Sequence, residues 1–358
     1  MRSILLNPGP VSLSEKVRKA AVSIDLCHRE PEFLTLQNRL RSSLIDVYHC
    51  DRSHWTAVLL GGSGTTALEA MLSSLLPRDA RLLVLENGVY GERISRIAEI
   101  HGIKYRSLAH QWMDAIDFDR VSQLLAEGEF THLAAVQHET TTGRLNDISR
   151  LAELCVQNGV KLMLDAVSSF GAEPIPFESP ALLACAVTAN KCLHGIPGLC
   201  FVLSRPEAIE AAIEPPRSLY MHLPLWAKQQ EQGSTPFTPP VNGLLALDQA
   251  LLELNEQGGW KARHARYQKL AEEVERVLSS QGVETMLEPG SSSCVLRSYR
   301  LPGDRSYTEI HDGLKQRGFV IYAGPGSLAA EMFRISTMGD ITDYDMERLV
   351  AALSTVFA

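Results

Sequence analysis

A chain of 358 residues with 45% hydrophobic and 21% charged residues carries enough apolar material for one large core and a second smaller one, which excludes a disordered or fibrous protein. Its formal net charge of −8 argues against nucleic acid or an anionic membrane surface as partner, and no stretch approaches the ~20 apolar residues of a membrane helix. Seven cysteines (27, 50, 155, 185, 192, 200 and 294) without metal-ligand spacing, and a first apolar run far too short for a signal peptide, point to free thiols and a cytoplasmic protein.

Residues 1–10 form an apolar arm ending in Pro8-Gly9-Pro10, which cannot be helical. Ser12 or Ser14 caps a helix expected to run to about Val22, and after a polar segment, Cys27 to Glu30, an amphipathic helix runs from about Glu32 to Tyr48. A strand (Trp55–Leu60), a glycine-rich turn (Gly61–Gly64) and a helix (Thr65–Leu76) follow, an order that presents backbone N–H groups to a phosphate. The same turn satisfies G-x-G-x-x-A through Gly62, Gly64 and Ala67, with acidic Glu86 at the end of the next strand. It therefore leaves a dinucleotide-binding oxidoreductase open as an alternative. Hydroxyls at Ser63 and Thr65 suit a single phosphate better than a pyrophosphate lying on bare glycine backbone.

Strands and helices then alternate: strands at 81–86, 104–108 and 132–137, helices from Tyr90 to His101, near 119–126 and from Asp147 to Asn158. His138-Glu139-Thr140-Thr141-Thr142-Gly143 reads as a polar turn at a strand end. The pattern predicts a mostly parallel sheet covered on both faces. Two short apolar runs, Leu162–Leu164 ending in Asp165 and Ala184–Ala189 ending in Asn190-Lys191, read as buried parallel strands, with Leu199–Leu203 one more. Ligands of open α/β sheets sit beyond the carboxyl ends of such strands, so Asp165 and Lys191 reach one rim. A carboxylate and an amine there suit pyridoxal phosphate, the lysine forming a Schiff base and the acid keeping the ring nitrogen protonated; a plain ion pair is the other reading.

Beyond Arg205-Pro206 a proline-punctuated connector leads to two helices separated by Gly258-Gly259, the second from Trp260 to Ser279. Strands at Cys294–Tyr299, Phe319–Tyr322 and Met332–Ser336, with helices at 307–316 and 342–356, make an α+β lobe. We expect an arm over 1–20, a large domain over 21–250 and a small C-terminal domain over 251–358.

The glycine turn, Tyr90 after Asn87-Gly88, HETTTG, DAVSSFG, ANK and Phe333-Arg334-Ile335 occur together in this order, and the combination resembles the class V aminotransferases of fold type I. The resemblance covers essentially the whole chain. Within the class, LLNPGP, GGSGT, ANKC-x-x-G-x-PG and GFVIY-x-G are similar to the branch that acts on 2-aminoethylphosphonate and pyruvate. It implies a seven-stranded, mostly parallel sheet, pyridoxal 5'-phosphate as cofactor, and a homodimer with sites at its interface. Lys191 would carry the cofactor and shuttle a proton, and Asp165 would pair with the ring nitrogen. Ser63, Gly64 and Thr65 would hold the phosphate, joined by Thr238 from the partner subunit. Tyr90 would stack on the ring, Thr140 would bond its hydroxyl (with Thr141 and Thr142 as alternatives for that contact), and Val167 and Asn190 would line it. Arg334 would grip the substrate's acid group through paired hydrogen bonds, with Pro8 and Gly9 at the entrance.

Simpler roles compete at several positions: Asp165 as the cap of a turn, Tyr90 as a core tyrosine, Arg334 as a surface salt bridge, and His138, His194 and Glu139 as structural groups. Cys27-His28-Arg29-Glu30 departs from the pattern of that branch. His28 and Arg29 suit a dianionic phosphonate, or else a packed interface. Alanine–glyoxylate, serine–pyruvate or another short ω-amino acid transamination, and a non-catalytic binding protein on the same scaffold, are the further alternatives.

Overall fold

The computed structural model describes residues 2–212 and 214–357. Its strands are, in chain order, β1 (Ile4–Leu5), β2 (Thr56–Gly61), β3 (Arg81–Glu86), β4 (Lys104–Ala109), β5 (His132–Val136), β6 (His138–Glu139) and β7 (Arg144–Leu145). Then come β8 (Lys161–Asp165), β9 (Leu182–Thr188), β10 (Leu199–Ser204), β11 (Leu296–Arg300), β12 (Phe319–Val320), β13 (Tyr322–Ala323) and β14 (Met332–Ser336). Seven of them form the central sheet in the order β2-β10-β9-β8-β5-β3-β4. Strands β3, β4, β5, β8 and β9 pair in parallel. Strand β10 runs antiparallel to both β9 and β2, so β2 points the same way as β9. The mostly parallel, seven-stranded sheet expected from the sequence is present.

Its strands are apolar on both faces because both are covered. Leu162 and Leu164 of β8 enter one core and Met163 the other, as the two-residue period of a strand requires. Helices Pro31–Asp46, Ile148–Asn158 and Val241–Glu256 pack on the first face; Gly64–Leu75 and Val89–Ile100 pack on the second. A three-stranded sheet, β11-β14-β13, has its own apolar cluster with helices Gly259–Ser280, Tyr307–Gln316 and Asp343–Phe357. Strand β1 pairs in parallel with β12, and Ser336 N donates to Leu6 O, so the N-terminal arm is stitched to this second unit.

Two local expectations need correction. The connector holds two helices, Pro206–Glu210 and Leu223–Glu231, each with proline in its first turn, where the missing N–H costs nothing. The strand expected over 319–322 splits into β12 and β13, which join different sheets. The polar turn expected in the HETTTG segment is present, closing a small hairpin of β6 and β7, and every residue from His138 to Gly143 is buried.

Candidate active site

Asp165 closes β8, and Asn190-Lys191 follow β9, its neighbour in the sheet. Asp165 is buried, and its Oδ1 accepts one hydrogen bond from Val167 N at 3.0 Å. The other oxygen makes no hydrogen bond among the described residues. The turn-capping bond and a free ligand-facing oxygen therefore coexist in one side chain. Burial pushes its pKa up to about 6, against the Val167 bond and the charges of Arg93 and Lys191, which pull it down. Burial also lowers the Lys191 amine to about 8, with Cys192 and Asp165 acting in the opposite sense. Lys191 Nζ donates to Pro8 O. Gly9, at φ +104°, lies so close that a Cβ there would sit 2.6 Å from Lys191 Cδ, so the arm rests on the lysine only because residue 9 is glycine. Pro8 and Gly9 are thereby brought to the reactive amine.

The glycine turn reaches the same rim. Strand β2 ends there because it runs with β9, and Gly62 N donates to Gly198 O at 2.9 Å. A Cβ on Gly64 would meet Val167 Cγ1 at 2.6 Å, so the turn packs against the segment just after Asp165. At the start of helix Gly64–Leu75 the N–H groups of Gly64 and Thr65 make no hydrogen bond among the described residues, while Thr66 N donates to Ser63 O at 2.9 Å, which leaves two backbone donors for an anion at this end. Ser63 is exposed, and Thr65 Oγ1 accepts from Arg93 Nη1 at 3.2 Å. The Arg93 guanidinium also lies 4.6 Å from the centre of the half-buried Tyr90 ring. A dinucleotide turn is not what this is: β2 is an edge strand beside an antiparallel neighbour, not one of two parallel strands at a reversal of strand order.

The buried HETTTG hairpin binds two parts of the site together. Glu139 accepts from Thr141 N (3.1 Å), Thr141 Oγ1 (2.6 Å) and Gly91 N (3.3 Å), while Val89 N donates to Thr141 Oγ1 at 2.9 Å. These bonds fix the start of the helix that carries Tyr90 and Arg93. Burial raises the Glu139 pKa to about 7 despite them. On the other side, Thr140 O accepts from Arg334 Nη1 at 2.6 Å, and Ala323 O accepts from Arg334 Nε at 3.0 Å. Arg334 is buried and pairs with no carboxylate among the described residues, so the surface salt-bridge reading fails. Burial draws its pKa below the ordinary value, while Tyr90, Tyr307, Tyr322 and Glu139 favour its charge.

The remaining candidates are less tightly gathered. Asn190 Oδ1 accepts from Thr188 Oγ1 at 2.8 Å. Thr238 is exposed and makes no side-chain hydrogen bond among the described residues; its neighbour Phe237 packs on Tyr220 and Trp226. His28 sits edge-on to Phe33 with ring centres 6.4 Å apart, and Arg29 is exposed and makes no hydrogen bond or ion pair among the described residues. Among the described residues no hydrogen bond, ion pair or ring contact joins either of them to Lys191 or Arg334. His194 shares a 2.5 Å hydrogen bond with Tyr267 Oη, a structural arrangement. His138 Nδ1 faces Ser168 O at 3.3 Å, and burial pushes its pKa down to about 4. Arg93 was not singled out in the sequence, although its spacing of three from Tyr90 places both on one face of the helix.

The chain belongs to the class V aminotransferases, and the amine and acid at adjacent strand ends, with a buried arginine that pairs with no carboxylate among the described residues, are compatible with that membership. The family profile described as aminotransferase class-V matches residues 17–335. This chain is a pyridoxal-phosphate-dependent enzyme, and the Asp165 oxygen that takes no hydrogen bond among the described residues fits the buried acceptor that a protonated ring nitrogen would require. Among its relatives, the 2-aminoethylphosphonate–pyruvate transaminase of Phocaeicola vulgatus is 35% identical, with 99% of this chain and 98% of the relative covered. That of Pseudomonas fluorescens is also 35% identical, over 99% of this chain and 96% of the relative. The aspartate aminotransferase of subgroup IV from Thermus thermophilus superposes with a TM-score of 0.90 at 28% identity, covering 99% of each chain. The alanine–glyoxylate aminotransferase of Nostoc sp. shares the fold, with a TM-score of 0.92 at 24% identity, over 100% of this chain and 96% of the other.

Proposed function

We propose that the enzyme transfers the amino group of 2-aminoethylphosphonate to pyruvate, giving phosphonoacetaldehyde and L-alanine. The observation that carries this reading is Arg334, a buried guanidinium with no carboxylate partner, fastened by two backbone carbonyls close to the lysine. Full-length similarity to transaminases named for this pair of substrates supports it. A guanidinium grips a phosphonate or a carboxylate through paired hydrogen bonds, so one group serves donor and acceptor in turn.

Pyridoxal 5'-phosphate supplies an aldehyde that accepts the amine and a ring that withdraws electrons from the carbon losing its proton. The chain does the rest. Asp165 receives the ring nitrogen's proton in a hydrogen bond from within a low-dielectric site. Lys191, its amine near neutrality, takes up and returns the substrate proton. Ser63, Gly64 and Thr65 would hold the cofactor phosphate, Tyr90 would stack on the ring, Thr140 would bond its hydroxyl, and Val167 and Asn190 would line it. Pro8 and Gly9 keep the lysine in place and wall the entrance. Because donor product leaves before acceptor enters, kinetics should be ping-pong.

The active unit is a homodimer in this reading, with the exposed, unpartnered Thr238 reaching the phosphate of the other subunit's site. Cytoplasmic residence fits seven cysteines that are all free. The test is a donor panel of 2-aminoethylphosphonate, β-alanine, taurine and alanine with pyruvate. The phosphonate should give the highest kcat/KM; equal or faster turnover of a carboxylate donor would overturn the assignment.

A further inference from the structure

We infer that Arg93 is a cofactor-binding residue, the cation that neutralises the phosphate of pyridoxal 5'-phosphate at the start of helix Gly64–Leu75. The inference rests on the cofactor assignment but not on the choice of amine.

The argument begins with an electrostatic conflict. The start of a helix carries a partial positive charge, and its first N–H groups have no partners within the helix. Arg93 projects from the neighbouring helix, Val89–Ile100, onto that same end, donating to Thr65 Oγ1 at 3.2 Å. Two positive features face one another, and no carboxylate forms an ion pair with Arg93 among the described residues. Asp165 is an acid within its electrostatic reach, and that carboxylate is engaged by Val167 N and turned to the ring nitrogen. An anion between the guanidinium and the helix start resolves the conflict, and the cofactor's phosphate is the anion this rim is built for.

The placement is held from behind. The guanidinium stacks on Tyr90, which restricts its rotamers, and the root of its helix is bolted to the HETTTG hairpin through Gly91 N and Val89 N. Arg93 is therefore pre-organised, and little entropy is lost when the phosphate arrives. Without it the phosphate would depend on hydroxyls and backbone N–H groups alone.

The test compares two ligands that differ only in the phosphate. Binding of pyridoxal 5'-phosphate and of pyridoxal to the apoenzyme is followed by quenching of tryptophan fluorescence, for the wild type, Arg93→Gln, Arg93→Lys and Tyr90→Leu. Arg93→Gln should weaken pyridoxal 5'-phosphate by about 10- to 100-fold and leave pyridoxal within about twofold. Arg93→Lys should recover part of the loss, and Tyr90→Leu should weaken both ligands. Equal weakening of both ligands by Arg93→Gln would overturn the inference, as would no change in either. The Lys variant, which keeps the charge, decides the matter if the Gln variant folds poorly. No amine enters the titration, so it fails or succeeds independently of the donor panel.

Discussion

Asp165 and Glu173 stand at the two ends of one buried loop, and their surroundings could hardly differ more. Glu173 is fully satisfied on one oxygen: Oε1 accepts from Ser293 Oγ at 2.5 Å and from Cys294 N at 2.8 Å, while Oε2 faces His264 Nδ1 at 3.4 Å. Burial would raise its pKa, but the bonds from His264, Ser293 and Cys294 outweigh that and hold it below the ordinary value. Asp165, equally buried, has one backbone bond and is pushed up to about 6. A carboxylate whose partners all come from the chain is a lock. One left short of partners at the end of a parallel strand is waiting for something the chain does not supply.

The comparison breaks most sharply under amide substitution. Asp165→Asn should lower kcat by at least about 100-fold, because the ring nitrogen loses its anionic partner. In the apoenzyme it should raise Tm at pH 7.5 by about 2–4 °C. The sign follows from the raised pKa. The folded state binds the Asp165 proton more tightly than the unfolded state, whose value is near 3.8, so the favourable contribution is complete below about pH 4 and lost as pH rises through about 6. Glu173→Gln should do the opposite, lowering Tm with kcat and KM nearly unchanged. Its depressed pKa means that its contribution is present above 4.5 and disappears on acidification. A drop in Tm for Asp165→Asn, or a kcat defect without loss of Tm for Glu173→Gln, would erase the distinction.

A second, smaller effect sharpens it. Lys191 shares the under-satisfied environment, with burial bringing its amine from 10.5 to about 8. Modification of apoenzyme lysines by an amine-selective acylating reagent, followed site by site by mass spectrometry, should show Lys191 reacting with a midpoint near pH 8. Only the neutral amine attacks, so at pH 8 roughly half of Lys191 is reactive while an ordinary lysine is almost wholly protonated. A midpoint near that of ordinary lysines would remove the amine from the proton-transfer role.

Much of this site is legible in the sequence because its two leading residues end strands. An apolar run that stops at Asp165 and another that stops before Lys191 fix both residues on one rim whatever the sheet's exact twist. Gly62 and Gly64 are equally readable, since a tight turn before a helix leaves few other residues possible. The role of Arg93 is not readable that way. It depends on how two helices on the same face of the sheet lean together, a tertiary fact that no local pattern encodes. The burial of the HETTTG hairpin is unreadable for a related reason: Glu139 and Thr141 bond to each other and to the helix start, while His138 Nε2 and Thr142 Oγ1 are buried without a hydrogen-bond partner, and only the packed fold shows either. The prolines of the connector mislead because a proline at the first turn starts a helix, whereas the same residue two turns later ends one.

The least of the expected effects probes that hairpin. The Thr141 hydroxyl accepts from Val89 N at 2.9 Å and donates to Glu139 Oε1 at 2.6 Å, so one oxygen joins the buried acid to the helix start immediately before Tyr90. Thr141→Val keeps the shape and removes the hydroxyl. Val89 N then loses its partner, and Glu139 keeps only the bonds from Thr141 N and Gly91 N. The loss should cost about 1 kcal/mol, seen as a fall in Tm of about 1–2 °C. Because Tyr90 and Arg93 ride on that helix, affinity for pyridoxal 5'-phosphate should fall by about three- to tenfold at a kcat close to wild type. Arg334 hangs from the neighbouring carbonyl of Thr140, which the substitution leaves in place, so KM for the donor should not move. A rise in donor KM equal to the loss of cofactor affinity would mean that the hairpin moves as one body, and that its two sides cannot be separated by a single hydroxyl.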